Sequence, residues 1–518
     1  MIMERRDATR ESDGCDIGER KPGGFLSVAE RASVSLPSAR IWLAAAALAC
    51  VSGCAVGPNY RRPEVSTPTA FKEAAGWKAA TPNDAANRGP WWELFQDPIL
   101  NQLENEATAS NQSLLQAAAN YEQARQIARA DRATLFPSIS ADGSYLRERA
   151  GTSTGFAVDT AAQAGLEASW TPDFWGRIRR LTESDVAAAQ ASAADLANAR
   201  LSIQATLAQD YIQLRIADEQ DRLYANAVEA YRRTLQISEN KYKVGVAARS
   251  DVISAQALVD AARAQQINAG VQRAQLEHAI AVLLGKPPAG FLIASQPALA
   301  LPVPAIPVAL PSALLERRPD IASVERAVAS ANAKVGVQTA AYFPDLTLSG
   351  AAGYEATALN QLFRAANRTW SLGGNVSETL LDFGQRRAQL LEARAAYDAT
   401  VAGYRQTVLT AFQGVEDDLS TLRILEAEAQ VQAAAVAEAT DASRITLNEY
   451  KAGTVDYTTV VTAQVAELTD RQSALAILQS RLTTSVALLE ALGGGWTAAD
   501  LPAPRAVLAR HPADGPLH

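Results

Sequence analysis

In residues 138–145, Ile139, Ala141, Gly143 and Tyr145 alternate with Ser138, Ser140, Asp142 and Ser144. A period of two predicts a strand with one apolar and one polar face. A second such run follows, in which Leu166, Ala168 and Trp170 interleave with Glu167, Ser169 and Thr171. The same pair returns about 200 residues later. Leu346, Leu348 and Gly350 alternate with Asp345, Thr347 and Ser349, and Trp370, Leu372, Gly374 and Val376 with Ser371, Gly373, Asn375 and Ser377. Four half-apolar strands are expected, in two hairpins.

Between these runs the period changes to that of a helix. Val408, Phe412, Val415, Leu419 and Leu422 step by 4, 3, 4 and 3, the seam of a coiled coil, and Leu207, Tyr211 and Leu214 repeat the spacing. No proline falls between Gly176 and Tyr242 or between Gly384 and Tyr450. Each stretch predicts a helix about 100 Å long at ~1.5 Å per residue. Glycine-containing turns at Lys243–Ser250 and Lys451–Thr458 reverse the chain into shorter helices near Asp251–Leu284 and Thr459–Leu492. Ahead of the strands, helices are expected over Leu100–Leu135 and Ile321–Tyr342, the second with Asp320 as its cap.

The chain is an internal repeat. Asn240–Gln256 aligns with Asn448–Gln464 at an offset of 208, with identity at 7 of 17 positions. Chance at average composition gives about one. The offset also carries Gly176 to Gly384 and Leu284-Gly285 to Leu492-Gly493, while Phe136-Pro137 matches Phe343-Pro344 one residue out of step.

A strand with a lipid-facing side cannot leave its edge open in a bilayer, because each unpaired backbone group there costs several kcal/mol. Single-chain outer-membrane barrels begin at about eight strands, and eight leave little lumen. Four strands therefore require a barrel shared between copies, and a trimer supplies twelve.

The leader adds a location. Arg40 precedes the apolar run Ile41–Val51, and Val51-Ser52-Gly53-Cys54 follows, the form of a secretory signal ending in a lipobox. Cys54 is then the expected lipid attachment point, N-palmitoylated and carrying an S-diacylglycerol, and Ala55 behind it is not the aspartate of an inner-membrane retention signal. Residues 1 to about 30 are charged, unlike a signal n-region.

Composition mainly excludes. Charged residues are 20%, aromatics 6% and the net charge −8, which disfavours a nucleic-acid partner. Cys15, Cys50 and Cys54 all lie in the first 54 residues, so no disulfide is expected beyond them. His278, His511 and His518 form no metal spacing, and Gly285-Lys286 is followed by Pro287 rather than completing a phosphate loop. No enzyme and no cofactor are expected, apart from the covalent lipid on Cys54.

Five segments in order, Cys54–Pro63 (CAVGPNYRRP), Trp91–Pro98 (WWELFQDP), Pro172–Arg177 (PDFWGR), Leu314–Ile321 (LLERRPDI) and Leu381–Gln385 (LDFGQ), resemble the TolC-like outer membrane factor family, most closely its NodT- and OprM-like lipoprotein branch. The resemblance spans about residues 41–496. It implies a homotrimer with a twelve-stranded β-barrel in the outer membrane, continuous with an α-barrel of long helices in the periplasm. It also implies docking onto a periplasmic adaptor and an inner-membrane pump, often of the RND type, with gating at the helix tips. The turns around Gly245 and Gly453 resemble the adaptor-docking tips, with Ser250, Asp251, Asp456 and Tyr457 as candidate polar contacts. Plain structural roles stand beside this: a helix cap for Asp251 and a solvated turn for Asp456. Where the family carries leucine and aspartate beyond the second tip, this chain has Thr458 and Thr462.

The expected organisation is a leader and signal peptide (1–53), an irregular segment around the tube (54–97, with Trp77, Trp91 and Trp92), a first repeat (98–287), a proline-rich crossover (288–312), a second repeat (313–496) and a tail (497–518). Two other readings remain: the duct of a type I protein secretion system, and a periplasm-spanning coiled-coil lipoprotein without a pore. Four alternating strands count against the second, since a rod has no use for them.

Overall fold

A computed structural model describes residues 55–74, 90–152, 155–296, 299, 301–306 and 315–509. Cys54, Trp77, His511 and His518 lie outside the described residues.

Helices α1 (Pro98–Ser110) and α2 (Gln112–Ala133) lead into strands β1 (Ser138–Thr152) and β2 (Gly155–Trp170). The long helix α3 (Arg177–Lys243) and the shorter α4 (Arg249–Leu283) follow. A second round of this order consists of α5 (Pro319–Ala340), β3 (Asp345–Ala356), β4 (Arg368–Ser377), α6 (Gln385–Ala452) and α7 (Tyr457–Ala491), with a short α8 (Pro504–Val507) after it. The four strands form one antiparallel sheet in the order β1-β2-β3-β4.

Helix α3 has 67 residues and α6 has 68, so each runs about 100 Å. Their apolar seams pack inward: Leu207, Tyr211, Leu214, Val408, Val415 and Leu419 are all fully buried in one core. Burying each such side chain contributes about 2 kcal/mol, which offsets the ordering of a helix far longer than its own propensity supports.

Three details differ from expectation. The helix expected over Leu100–Leu135 is two, broken at Asn111, whose backbone is extended and whose side-chain Oδ1 caps α2 by accepting a 3.1 Å bond from the Leu114 amide. The break is a docking point: Asn111 Nδ2 donates to the Leu283 carbonyl at 2.7 Å, and Ser110 Oγ to that of Leu284 at 2.8 Å. Second, Asp320 does not cap α5. Arg318 occupies the cap position, Pro319 follows it, and Asp320 grips the Arg318 guanidinium in a fork at 3.0 and 2.7 Å. That grip aims Arg318 Nη1 at the Ala491 carbonyl, 2.8 Å away, joining the start of α5 to the end of α7. Third, Trp91 and Trp92 are core residues, 3% and 6% exposed, rather than part of an outer wrapping.

Residues 55–74 run along α5 and α6 as a strap. Asn332 Nδ2 donates to the Pro58 carbonyl, Arg62 Nε to the Tyr404 hydroxyl, and the Lys72 and Glu73 amides to the Glu416 carboxylate.

Candidate functional site

Three places carry the geometry from which function follows: the sheet, the clamp on the N-terminal strap, and the helix tips at the opposite end.

The register puts Ile139 opposite Ala168, Leu166 opposite Ala352, Leu348 opposite Gly374 and Gly350 opposite Leu372. Side chains alternate along a strand, so the large apolar residues share one face, with Leu146 alone among them on the other. That face is bare: Ile139, Leu166, Trp370, Leu372 and Val376 are each more than half exposed. The opposite face carries Ser138, Ser140, Asp142, Gln163, Glu167, Ser349 and Asn375. Strands β1 and β4 each pair on one side only.

At the junction of sheet and helices, the Val56 amide donates to the Trp175 carbonyl at 3.1 Å. Arg180 reaches the carbonyls of Val56 and Gly57 and the side chain of Asn59. The approach is close, since a Cβ at Gly57 would stand 2.5 Å from the Gly336 Cα. This clamp fixes the strap from Ala55 onward at the level of Trp170, Phe174 and Trp175, all partly exposed. These aromatics help line a groove of about 620 Å³.

The tips lie at the other end of the 100 Å helices. Gly245 and Gly453 make the reversals with φ of +76° and +83°, backbone that a Cβ disfavours. Beyond each turn an aspartate serves the start of the next helix, in two different ways. In the second copy Asp456 is the N-cap of α7 and accepts from the Thr459 amide at 2.9 Å and its hydroxyl at 2.6 Å. These bonds to the charged form hold the Asp456 carboxyl below the usual range. In the first copy the N-cap is Ala248, and Asp251, three residues on, reaches back to the Ala248 amide at 3.3 Å. Asp456 is therefore a cap rather than a plain solvated turn, and Asp251 supports a cap formed elsewhere.

The two tips touch. Tyr450, Tyr457, Val460 and Ala255 form a buried cluster with Leu235 and Ile237 against it. The Tyr450 and Tyr457 ring centres are 5.7 Å apart. Ser238 Oγ is 3.2 Å from the Tyr450 hydroxyl, and Lys241 Nζ donates to the Tyr450 carbonyl. One turn further in, Gln464 Nε2 donates to Thr234 Oγ1 at 3.0 Å, and the Gln464 main-chain carbonyl accepts from the Tyr231 hydroxyl at 3.2 Å. Burial pushes the Tyr457 hydroxyl up to about 12. Of the residues singled out in sequence, Gly245, Ser250, Gly453, Thr458 and Thr462 are exposed, whereas Tyr457 is only 4% exposed. Thr462 turns its hydroxyl back onto the Thr458 carbonyl at 2.9 Å.

Sequence reasoning missed Lys241, Ser238 and Gln464 as partners of the second tip. It also missed a buried polar network midway along α3. Asp97 caps α1 and accepts from the Tyr211 hydroxyl at 2.7 Å, and Arg215 Nε donates to that same hydroxyl at 2.9 Å. Arg215 and Arg273 both pair with Asp218 and hold the carbonyls of Ala294 and Ile293. The crossover is thereby pinned to α3 and α4. Asp97 stood in the quoted WWELFQDP segment, but nothing local to that segment points to Tyr211. Among the described residues no group of His, Cys, Asp or Glu is arranged to hold a metal, and no helix is long and apolar enough to cross a membrane.

Comparison with known proteins adds the family. The profile of the outer membrane efflux protein family matches residues 103–286 and again 310–494. A probable efflux pump outer membrane protein of Pseudomonas putida, TtgC, is 30% identical over 454 residues, covering 86% of this chain and 93% of the relative. The pyoverdine export outer membrane protein OpmQ of Pseudomonas aeruginosa is 31% identical over 428 residues, covering 81% and 90%. Among solved structures, the outer-membrane channel OprN superposes with a TM-score of 0.80 at 30% identity, over 86% of this chain and all of that one. The open state of the Neisseria gonorrhoeae MtrE channel gives 0.77 at 28%, over 86% and 99%. With its two matched repeats, its sheet and its long hairpins, this chain belongs to the outer membrane efflux protein family, outer-membrane channels rather than enzymes that reach from the membrane into the periplasm.

Proposed function

We propose that this chain is one third of a trimeric outer-membrane duct, the exit subunit of an RND-type tripartite efflux system that passes small toxic molecules from pump and adaptor to the exterior. The observation that carries this is the sheet: four strands, apolar on one face and polar on the other, with β1 and β4 unpaired on their outer sides. In a bilayer such edges close only against further strands, and three copies close a ring of twelve around a wet lumen. The helices support the same assembly. Leu391, Leu409, Ile424 and Val431 on α6 and Ile267 and Val271 on α4 are left bare in a single chain. The relatives' names include toluene, antibiotic and pyoverdine among what their pumps export, which favours small organic cargo over polypeptides.

The clamp at Val56 supports lipidation of Cys54. It holds Val56 against the aromatic junction, a place suited to an anchor whose acyl chains enter the membrane. The buried contacts around Tyr450 are the resting latch of the gate, and the exposed Gly245, Ser250, Gly453, Thr458 and Thr462 are the adaptor's docking surface. Asp251 and Asp456 shape that surface through their caps, and Tyr457 acts from beneath it.

The test is single-channel conductance of the purified, lipidated protein in planar bilayers, alongside its oligomer mass. A trimer with small resting conductance that rises when Lys241 and Tyr450 are both replaced by alanine supports the gated duct. A monomer, or a trimer that never conducts even with the latch removed, overturns it.

A further inference from the structure

The charges on the four strands are sorted by face. All six carboxylates, Asp142, Glu148, Asp159, Glu167, Asp345 and Glu355, fall on the polar face by strand alternation and register. All three basic residues, Arg147, Arg149 and Arg368, fall on the apolar face. Arg364, in the loop leading into β4, is the only charged residue between Ala356 and Arg368. These arginines lie at the end of the sheet away from the helices, two on each hairpin. All four are exposed, and none makes an ion pair among the described residues.

Aromatic rings accompany them. The Arg149 guanidinium lies 4.4 Å from the ring centre of Phe156, which is 72% exposed. Tyr354, paired with Arg368, meets Phe363 edge-on at 5.5 Å, and Trp370 lies two residues beyond Arg368 on the same face.

Distance places this rim. From Ile139 to Arg149 is ten residues, and from Val376 to Arg368 is eight. At ~3.4 Å per residue and a tilt of about 40°, these span roughly 26 and 21 Å along the membrane normal, about the height of the apolar band of an outer-membrane barrel. The arginines therefore stand where the hydrocarbon ends on the far side, among headgroups. A guanidinium there, with no carboxylate on its own face, finds its counter-charge in the lipid, and its fork geometry suits phosphate oxygens.

We propose that this rim, Arg147 and Arg149 on one hairpin and Arg364 and Arg368 on the other, binds the phosphate groups of phosphorylated glycolipids in the outer leaflet. The aromatic rings supply the apolar wall beside each phosphate. The proposal rests on the barrel reading above, which sets the apolar face toward lipid.

The test uses the full-length trimer in detergent, titrated with diphosphoryl lipid A and followed by native mass spectrometry. Dephosphorylated lipid A and phosphatidylglycerol serve as comparators. Saturable binding of diphosphoryl lipid A, at least tenfold tighter than either comparator, is expected. Replacing all four arginines by glutamine removes that preference, and replacing them by lysine keeps most of it. Equal binding of the dephosphorylated form, equally tight phosphatidylglycerol, or an undiminished preference in the glutamine variant overturns the proposal. The comparison among lipids needs no variant, so it decides the matter even if the fourfold change hinders assembly. Conductance of the glutamine variant in phosphatidylcholine bilayers stays at the wild-type value. Failed lipid binding with intact conductance therefore counts against the rim alone, and failed conductance against the duct.

Discussion

The ammonium group of Lys241 lies 4.2 Å from the ring centre of Tyr450 and donates a hydrogen bond to the carbonyl of the same residue. Lys241 lies in the last turn of α3 in the first repeat and Tyr450 in the last turn of α6 in the second, so one side chain ties the two tips together. The position equivalent to Tyr450 at the 208-residue offset is Tyr242, which is 46% exposed, whereas Tyr450 is 4% exposed.

That contrast gives the first prediction. Lys241→Ala removes a cation–π contact and a hydrogen bond, together about 1–2 kcal/mol of tip stability. Tyr450→Ala also opens a cavity and costs roughly 3 kcal/mol. Both raise the open probability in single-channel recordings, the second more, while Tyr242→Ala leaves it near wild type. Equal effects of Tyr242→Ala and Tyr450→Ala would falsify the assignment of the latch to the second copy.

Gly453 has φ +83°, and a Cβ added there would meet nothing within 4 Å, so backbone conformation alone opposes substitution. Gly453→Val is expected to cost about 1–2 kcal/mol or more, because a β-branched residue resists left-handed backbone, and Gly453→Asn distinctly less. Limited proteolysis at the tip reads this out: cleavage rates should rank valine, asparagine, glycine.

Glu104 is fully buried on α1, and neither carboxylate oxygen has a hydrogen-bond partner among the described residues. Burial raises its carboxyl to about 9. The folded state thus keeps the proton while the unfolded state releases it near 4.5. Stability from this group is complete below that value, falls as pH rises, and stops falling above about 9. At pH 7 the loss is on the order of 3 kcal/mol. Glu104→Gln cannot ionise, so its melting temperature should exceed wild type by a margin that grows from pH 5 to pH 9. A margin independent of pH would show that Glu104 is not held neutral.

Gly57→Ala sets a Cβ 2.5 Å from the Gly336 Cα at a residue with φ +98°. The strap should lift from α5, exposing residues 55–74 to protease, while the sheet and the long hairpins keep their circular dichroism. Arg180→Ala, which frees the carbonyls of Val56 and Gly57, should do the same more mildly.

What the sequence determined by itself was everything that repeats locally. The period of two in 138–145 and 345–350, the 4-3-4-3 seam of Val408 to Leu422 and the absence of proline in two 67-residue stretches encode strands and long helices. These patterns report which face is apolar and need no partner to be read. Asymmetry between the copies was decided by tertiary structure. At one pair of equivalent positions Tyr242 is exposed and Tyr450 buried; at another the sequence itself differs, Ala248 against Asp456, and the structure adds that the Asp251 carboxylate reaches back to the Ala248 amide. The break at Asn111, the Arg318–Asp320 fork and the Asp97–Tyr211–Arg215 network were likewise invisible. Each reaches a polar group contributed by a segment distant in the chain, Leu283 from Asn111, Ala491 from Arg318 and Tyr211 from Asp97, and only folding brings those donors and acceptors within 3 Å of one another.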